Sequence, residues 1–161
     1  MTIRRATRAD FPAIWTFFEP IARAGETYGF DRDIDRAQAE RVWIDVPAAT
    51  YVAEIDDAVV GSYYVKANHG GPGAHVCNCG YMVDPAARGR GVATALCEHS
   101  QDAARALGFQ AMQFNLVAVS NAGAVRLWTR LGFATVGRLP RAFDHPAEGY
   151  VDALVMYKWL G

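Results

Sequence analysis

The segment Asp84-Pro85-Ala86-Ala87-Arg88-Gly89-Arg90-Gly91-Val92-Ala93-Thr94 contains the residues best suited to bind an anion. It follows an apolar run that ends at Val83 and opens a helical pattern that continues to about Leu107. The two glycines permit a tight turn, and the free N–H groups and positive dipole end of the first helical turn attract negative charge. The segment lacks the Gly-Lys-Ser/Thr ending of a nucleotide P-loop and the GxGxxG spacing of dinucleotide folds. It therefore predicts a different kind of pyrophosphate site.

The composition restricts the classes of partner. A chain of 161 residues with 52% hydrophobic and 20% charged residues predicts one globular domain, residues 1–161. The net charge of −1 gives no electrostatic attraction to nucleic acid, and no apolar stretch approaches the roughly 20 residues of a membrane helix. Three cysteines and an N-terminus without an apolar leader favour a reducing, cytoplasmic location.

The spacing of apolar residues predicts the order of the elements. Helices are expected at 8–23, 34–45 and 90–107, with a further helix capped by Ser120 or Asn121. Strands are expected at 2–6, 50–55, 58–67, 74–83, 110–117, 133–139 and 150–159. This order predicts an α/β fold with a mixed sheet.

Several motifs in sequence order match one known family. The triplet Arg88-x-x-Gly91-x-Ala93 fits the pattern Arg/Gln-x-x-Gly-x-Gly/Ala, and the runs at 3–10, 59–61 and 120–133 add to it. Over nearly its whole length the chain resembles the GNAT acyl-CoA N-acyltransferases. The resemblance implies the GNAT fold, a mostly antiparallel sheet with two parallel splayed strands and flanking helices. It also implies acetyl-CoA as the acyl-donor cosubstrate and a homodimer.

The resemblance also implies where the cofactor lies. The pantetheine arm would follow Tyr81, Met82 and Val83, and a main-chain N–H near Met82 would polarise the acetyl carbonyl. Asn121 and Trp128 would contact the cofactor from the later helix. The phosphates would lie over Arg88, Gly89, Arg90, Gly91, Val92, Ala93 and Thr94.

Two positions depart from the family pattern. Many GNAT enzymes collect the amine proton with a Glu on the strand before the pyrophosphate loop, and this chain has Asn78 there. Many also protonate the leaving thiolate with a Tyr in the helix before the motif Leu-Gly-Phe, and here that position is Trp128. An indole N–H donates a hydrogen bond but is too weak an acid for this step.

A narrower resemblance offers a reason for these departures. The runs 114–121, 136–140 and 149–153 are similar to the fungal proline-analogue N-acetyltransferases, which act on azetidine-2-carboxylate. This resemblance implies that Asn78 and Asn115 hold the substrate and that Asn121 touches the cofactor. Because an amide cannot take a proton, we expect catalysis by proximity and electrostatic positioning. The alternative is that each asparagine satisfies backbone groups, with Asn121 as a helix cap.

Other residues are candidates for the acceptor site. Tyr28 and Phe30, in the loop after the first long helix, and the connection at 141–146 are expected to wall it, because such connections vary with substrate in this fold. Arg141 or Lys66 could pair with a carboxylate, and His145 is either a base or an exposed loop residue. No metal is predicted, since His69, His75, Cys77 and Cys79 lack the spacing of paired zinc ligands.

The sequence therefore predicts an N-acetyltransferase that transfers acetyl directly to the amine of a small molecule or amino acid, with a cyclic proline analogue as one candidate. Two alternatives remain at this stage. The acceptor could be a protein N-terminus or lysine, or the protein could be a catalytically silent acyl-CoA-binding sensor. Turnover of acetyl-CoA with a panel of amines separates these hypotheses.

Overall fold

Seven strands form a single sheet flanked by four α-helices in the computed structural model, which describes all residues 1–161. The helices are α1 (Phe11–Ala24), α2 (Arg36–Glu40), α3 (Val92–Ala106) and α4 (Ala122–Arg130). The strands are β1 (Thr2–Arg5), β2 (Ala49–Ile55), β3 (Ala58–Ala67), β4 (Val76–Val83), β5 (Ala111–Ala118), β6 (Ala134–His145) and β7 (Gly149–Trp159). No helix combines the length and the apolar character that crossing a membrane requires.

The sheet order is β1-β2-β3-β4-β5-β7-β6, and every neighbouring pair is antiparallel except β4 and β5. The parallel pair is joined only at Val76 with Ala111 and at Cys77 with Met112. Beyond Cys77 the two strands separate and leave a gap in the middle of the sheet. The predicted fold class, a mixed and mostly antiparallel sheet with two splayed parallel strands, is confirmed.

Each face of the sheet is covered by its own apolar layer. Tyr63 and Tyr81 point to the face covered by α3 and α4, where they pack with Leu96. Tyr64 and Met82 point to the opposite face, as the two-residue period of a strand requires. There they meet an aromatic group from α1 and the segment after α2: Phe11, Phe17, Phe18 and Trp43.

The structure changes two of the predicted boundaries. The helix expected at 34–45 is α2 followed by a wider π-helical turn, Arg41–Asp45. The prediction of a connection at 141–146 was wrong, because β6 continues to His145, which pairs with Gly149 of β7. A bulge lies between Leu139 and Phe143, where Arg141 has φ 52°. It interrupts the alternation of inward and outward side chains, so the sequence pattern does not indicate that the strand continues.

Candidate functional site

A cleft of about 950 Å³ opens where β4 and β5 separate. Its wall includes the start of α3, the loop after α1 and one side of α4. Arg88, Arg126 and Arg130 line it, and Glu26 is its only carboxylate. Three cations against one anion make the cleft suited to a negatively charged ligand.

The glycine turn predicted from the sequence lies at one end of this cleft. Gly89 and Gly91 have φ of 78° and 77°, which favour glycine, and a Cβ at either position would meet no heavy atom within 4 Å. The first α-helical hydrogen bond of α3 runs from the Ala95 N–H to the Gly91 carbonyl, at 3.1 Å. The amide groups before it, at Val92, Ala93 and Thr94, are therefore the free N–H groups that can bind phosphate oxygens.

The two arginines of the turn have different surroundings. Arg88 lines the cleft, whereas Arg90 is not part of the cleft wall. The Arg90 guanidinium lies 4.0 Å from the carboxylate of Asp56, in the turn between β2 and β3. The Arg90 side chain therefore lies toward the turn between β2 and β3 and not in the cleft wall.

The pairing of β4 with β3 decides which main-chain N–H near Met82 faces the cleft. β3 and β4 pair without a register shift, and hydrogen bonds from Asp84 N–H to Val60 and from Asn68 N–H to Val76 mark the residues that face each other across the ladder. By alternation, the Met82 N–H points to β3 and the Tyr81 N–H points to the cleft. The main-chain N–H near Met82 that is available to the cleft is therefore that of Tyr81.

Asn78 lies at the point where β4 and β5 begin to separate. Its side chain is only 8% exposed, and its Nδ2 donates to the Gln113 carbonyl of β5 at 3.0 Å. Its Oδ1 accepts from the Tyr64 hydroxyl at 3.2 Å. A Cβ at Gly80 would come within 2.6 Å of the Tyr64 ring, so glycine is needed there for Tyr64 to reach Asn78. Asn78 thus ties the two strands together at the apex of the gap.

Asn115 lines the same cleft from β5 but is exposed. Its Oδ1 accepts from Gln113 Nε2 at 3.0 Å, and its Nδ2 donates to Asn68 Oδ1 at 2.6 Å. A bulge between Phe114 and Val117 shifts the register of β5 against β7, so Asn115 and Val117 do not follow the regular alternation of a strand. Asn115 and Asn78 line the same cleft, but Asn115 is exposed to solvent whereas Asn78 is buried.

The two predicted cofactor contacts of the later helix both line the cleft. Asn121 caps α4, since its Oδ1 accepts the Ala124 N–H at 3.2 Å. Trp128 is buried and packs on the rings of Tyr81 and Phe114, with centroids 5.0 and 5.1 Å away. The Tyr81 hydroxyl is on the far side of β4, hydrogen-bonded to Ser100 at 2.7 Å, so Tyr81 offers the cleft mainly its backbone.

The loop after α1 crosses the gap between the strands. Its Tyr28 hydroxyl accepts the Tyr81 N–H of β4 at 2.7 Å and donates to the Tyr81 carbonyl. At Gly29, an added Cβ would lie 3.3 Å from the Leu116 side chain of β5. Phe30 stacks on Tyr28 with a centroid distance of 5.5 Å. Tyr28 and Phe30, which the sequence predicted as walls of the acceptor site, both line the cleft.

Glu26, in the same loop, was not singled out by the sequence analysis. The only signal in the sequence is its place two residues before Tyr28, and a single exposed glutamate has no pattern that marks it. His145, at the end of β6, also lines the cleft. Its Nδ1 accepts the N–H groups of Ala147 and Glu148, each at 3.2 Å.

The three cysteines are free and buried in the core. Burial raises the pKa of Cys97 to about 11 and raises that of Cys79 as well, so both stay protonated thiols at neutral pH. No group of three or more His, Cys, Asp or Glu side chains is arranged to hold a metal ion.

Known proteins with similar sequences identify the family of this chain. The sequence model of the acetyltransferase (GNAT) family matches residues 7–133. The chain belongs to this family. It is 32% identical over 150 residues to the N-acetyltransferase aca1 of Schizosaccharomyces pombe, with 81% of this chain and 71% of that protein aligned.

Solved structures of GNAT proteins share the architecture. A GCN5-related N-acetyltransferase from Kribbella flavida is 45% identical, with a TM-score of 0.92 and coverage of 98% of this chain and 96% of that one. A GNAT superfamily phosphinothricin acetyltransferase from Sinorhizobium meliloti, solved in complex with acetyl-CoA, is 22% identical, with a TM-score of 0.87 and coverage of 99% and 88%. At that identity the second likeness concerns the fold alone.

Proposed function

We propose that this GNAT protein transfers the acetyl group of acetyl-CoA directly to the amine of a small molecule or amino acid. The catalytic unit is the single domain of residues 1–161, acting in the cytoplasm as a homodimer. The observation that carries the proposal is the cleft between β4 and β5, with free helix N–H groups at one end and three arginines against one glutamate. These features suit the phosphates of a coenzyme A thioester.

The chemistry of the side chains favours direct transfer without an acyl-enzyme. A covalent route needs a thiolate beside a base, and the thiols of Cys79 and Cys97 are held protonated by burial. Direct transfer needs only a positioned thioester, a neutral amine and a hydrogen-bond donor for the carbonyl oxygen. Held reactants gain rate from proximity alone.

The loop after α1 favours a small acceptor over a protein chain. It is hydrogen-bonded to β4 through Tyr28, it passes so close to β5 that a Cβ on Gly29 would lie 3.3 Å from Leu116, and the Arg32 guanidinium lies 3.5 Å from the Asp144 carbonyl of β6. These contacts cover the gap from the acceptor side, so an extended peptide would meet the loop before it reached the acetyl group. Asn115, Tyr28 and Phe30 then form the walls against which a small amine rests.

The acceptor class is tested by CoA release from acetyl-CoA with azetidine-2-carboxylate, proline analogues, primary amino acids and peptides bearing a free N-terminus or lysine. We expect turnover with the small amines and little with the peptides. A rate with cyclic secondary amines above that with primary ones would support the narrower resemblance to proline-analogue acetyltransferases. Acetylation of peptides alone would contradict the small-acceptor proposal, and binding of acetyl-CoA without turnover on any amine would indicate a sensor.

We further propose that Glu26, through a water molecule, collects the proton of the acceptor amine. Glu26→Gln is expected to lower kcat/KM at neutral pH by about 10-fold or more, since a positioned general base contributes at least that much. The loss should shrink as the pH rises toward the pKa of the amine, because the neutral amine then forms without help. Initial rates from pH 6.5 to 10 measure both effects.

His145→Gln is the comparison for Glu26→Gln. The Nδ1 of His145 already accepts two main-chain N–H groups, those of Ala147 and Glu148, so we assign this side chain a role in holding the turn after β6. Its replacement should therefore change kcat/KM by less than about 3-fold and leave the pH profile in place. A loss in His145→Gln that exceeds the loss in Glu26→Gln would assign the base to His145 instead.

A further inference from the structure

Tyr28 makes two hydrogen bonds with a single backbone unit on the cleft side of β4. Its oxygen accepts the Tyr81 N–H at 2.7 Å, and its O–H donates to the Tyr81 carbonyl. Along the paired part of β4 these groups would face the main chain of β5, but β5 has left β4 after Cys77. The Tyr28 hydroxyl therefore replaces a strand neighbour at the point where the acyl group is expected.

The ring of Tyr28 packs against two aromatic neighbours. It stacks on Phe30 with centroids 5.5 Å apart and rings inclined by 14°, and it meets Trp43 edge-on at 6.4 Å. Trp43 is fully buried and donates its indole N–H to Ser62 at 2.9 Å. The hydroxyl is thus anchored through the aromatic core under the sheet.

We propose that the Tyr28 hydroxyl and the Tyr81 N–H together form the oxyanion hole of this acetyltransferase. The thioester carbonyl oxygen takes the place of the Tyr28 oxygen on the Tyr81 N–H. The Tyr28 O–H then turns from the Tyr81 carbonyl to that same thioester oxygen. This inference rests on the proposed acetyl transfer and adds a side-chain donor from the loop after α1 to the backbone donor of β4.

The exchange leaves no polar group without a partner. The Tyr81 carbonyl, once released by Tyr28, faces the cleft and can accept an amide N–H of the pantetheine arm. Burial raises the pKa of Tyr28 far above its usual value, so the hydroxyl keeps its proton throughout the pH range of interest. A neutral, preorganised O–H is an effective hydrogen-bond donor to a developing negative charge.

The reaction step follows from these positions. The amine nitrogen adds to the carbonyl carbon, and the electron pair of the C=O bond moves to the oxygen held by Tyr28 and Tyr81. When the carbonyl forms again, the carbon–sulfur bond breaks and the CoA thiolate leaves. The amine proton passes to Glu26 through water, and the thiolate takes a proton from solvent, so the products are the N-acetyl amine and CoA.

The test compares wild type with Tyr28→Phe, which keeps the ring packing and removes the hydroxyl. We expect kcat to fall by about 10²-fold, the lower end of the effect of one oxyanion donor, while affinity for CoA, which has no acyl carbonyl, stays within about 2-fold. In the infrared spectrum of bound ¹³C-carbonyl acetyl-CoA, the carbonyl stretch should lie at higher frequency in the variant because one donor is missing. Tyr51→Phe, at a tyrosine on β2 away from the cleft, is the matched control and should leave kcat, the affinity for CoA and the carbonyl stretch unchanged.

Each contrary result has a distinct meaning. Turnover by Tyr28→Phe within about 3-fold of wild type, faster turnover, or an unchanged carbonyl stretch would overturn the inference but leave acetyl transfer intact. Loss of CoA affinity together with a lowered melting temperature would also overturn it, since Tyr28 would then be a structural residue. Failure of the wild-type protein to bind acetyl-CoA would overturn the proposed function and this inference with it.

Discussion

Gly91→Ala is expected to weaken CoA binding by about 10²-fold or more. Alanine at φ 77° carries a penalty of roughly 1–2 kcal/mol relative to glycine. Its Cβ would also occupy space that is open in the structure, next to the free N–H groups of Val92 and Ala93, and we expect it to obstruct phosphates that bind there. Loss of one or two charge-assisted hydrogen bonds adds about 1.5–3 kcal/mol each. Isothermal titration calorimetry with CoA measures the change in affinity.

Gly108→Ala is the matched control for this experiment. Gly108 has φ 89°, and a Cβ there also meets no heavy atom within 4 Å, but it lies after the far end of the same helix and outside the cleft. Both variants should lose a similar amount of thermal stability, and only Gly91→Ala should lose affinity. Equal affinity losses in the two variants would show that the effect comes from general strain in α3, and full affinity in Gly91→Ala would place the phosphates elsewhere.

Asn78→Ala is expected to lower the free energy of unfolding by about 2–6 kcal/mol. The change leaves the Gln113 carbonyl and the Tyr64 hydroxyl without their partners in a buried place, and each such group costs about 1–3 kcal/mol. The variant also loses the hydrogen bond that joins β4 to β5 where the two strands separate. Turnover should therefore fall by about 10²-fold, because small displacements of the reacting groups have large effects on rate. Chemical denaturation and CoA-release kinetics measure the two effects.

Asn115→Ala provides the contrast, since the same residue type is exposed there. Its removal should change the free energy of unfolding by no more than about 0.5 kcal/mol. If Asn115 contacts the acceptor, the KM for the amine should rise while the affinity for CoA stays unchanged. A stability loss in Asn115→Ala as large as in Asn78→Ala, or none in either, would contradict the division of roles between the two asparagines.

The sequence predicted the location of Asn78 and Asn115 but not their surroundings. Both line the cleft, as predicted from the sequence, and Asn121 caps α4 in agreement with its place before a helical pattern. The sequence could not distinguish a buried amide that joins two strands from an exposed one in a bulge. That difference depends on the hydrogen bonds of Gln113 and Tyr64, which are 35 and 14 residues away from Asn78.

What the sequence by itself determined are the features encoded within one or two turns of chain. The glycine turn before α3, the helix caps and the alternating strands depend on the conformational freedom of glycine, on side chains that reach nearby N–H groups and on the two-residue period of a strand. These local rules predicted the mixed sheet and an anion site at Gly91, whereas the family to which the chain belongs was suggested by the resemblance of its motifs.

What only the tertiary structure decided is how separate segments meet. The direction of the Met82 N–H depends on the register of β4 against β3, and the exposure of Asn115 depends on a bulge in the pairing of β5 with β7. The contact of Tyr28 with Tyr81 joins residues 53 positions apart. Register, bulges and loop crossings are fixed by the packing of the whole sheet, and a shift of one residue would reverse them without changing any local pattern.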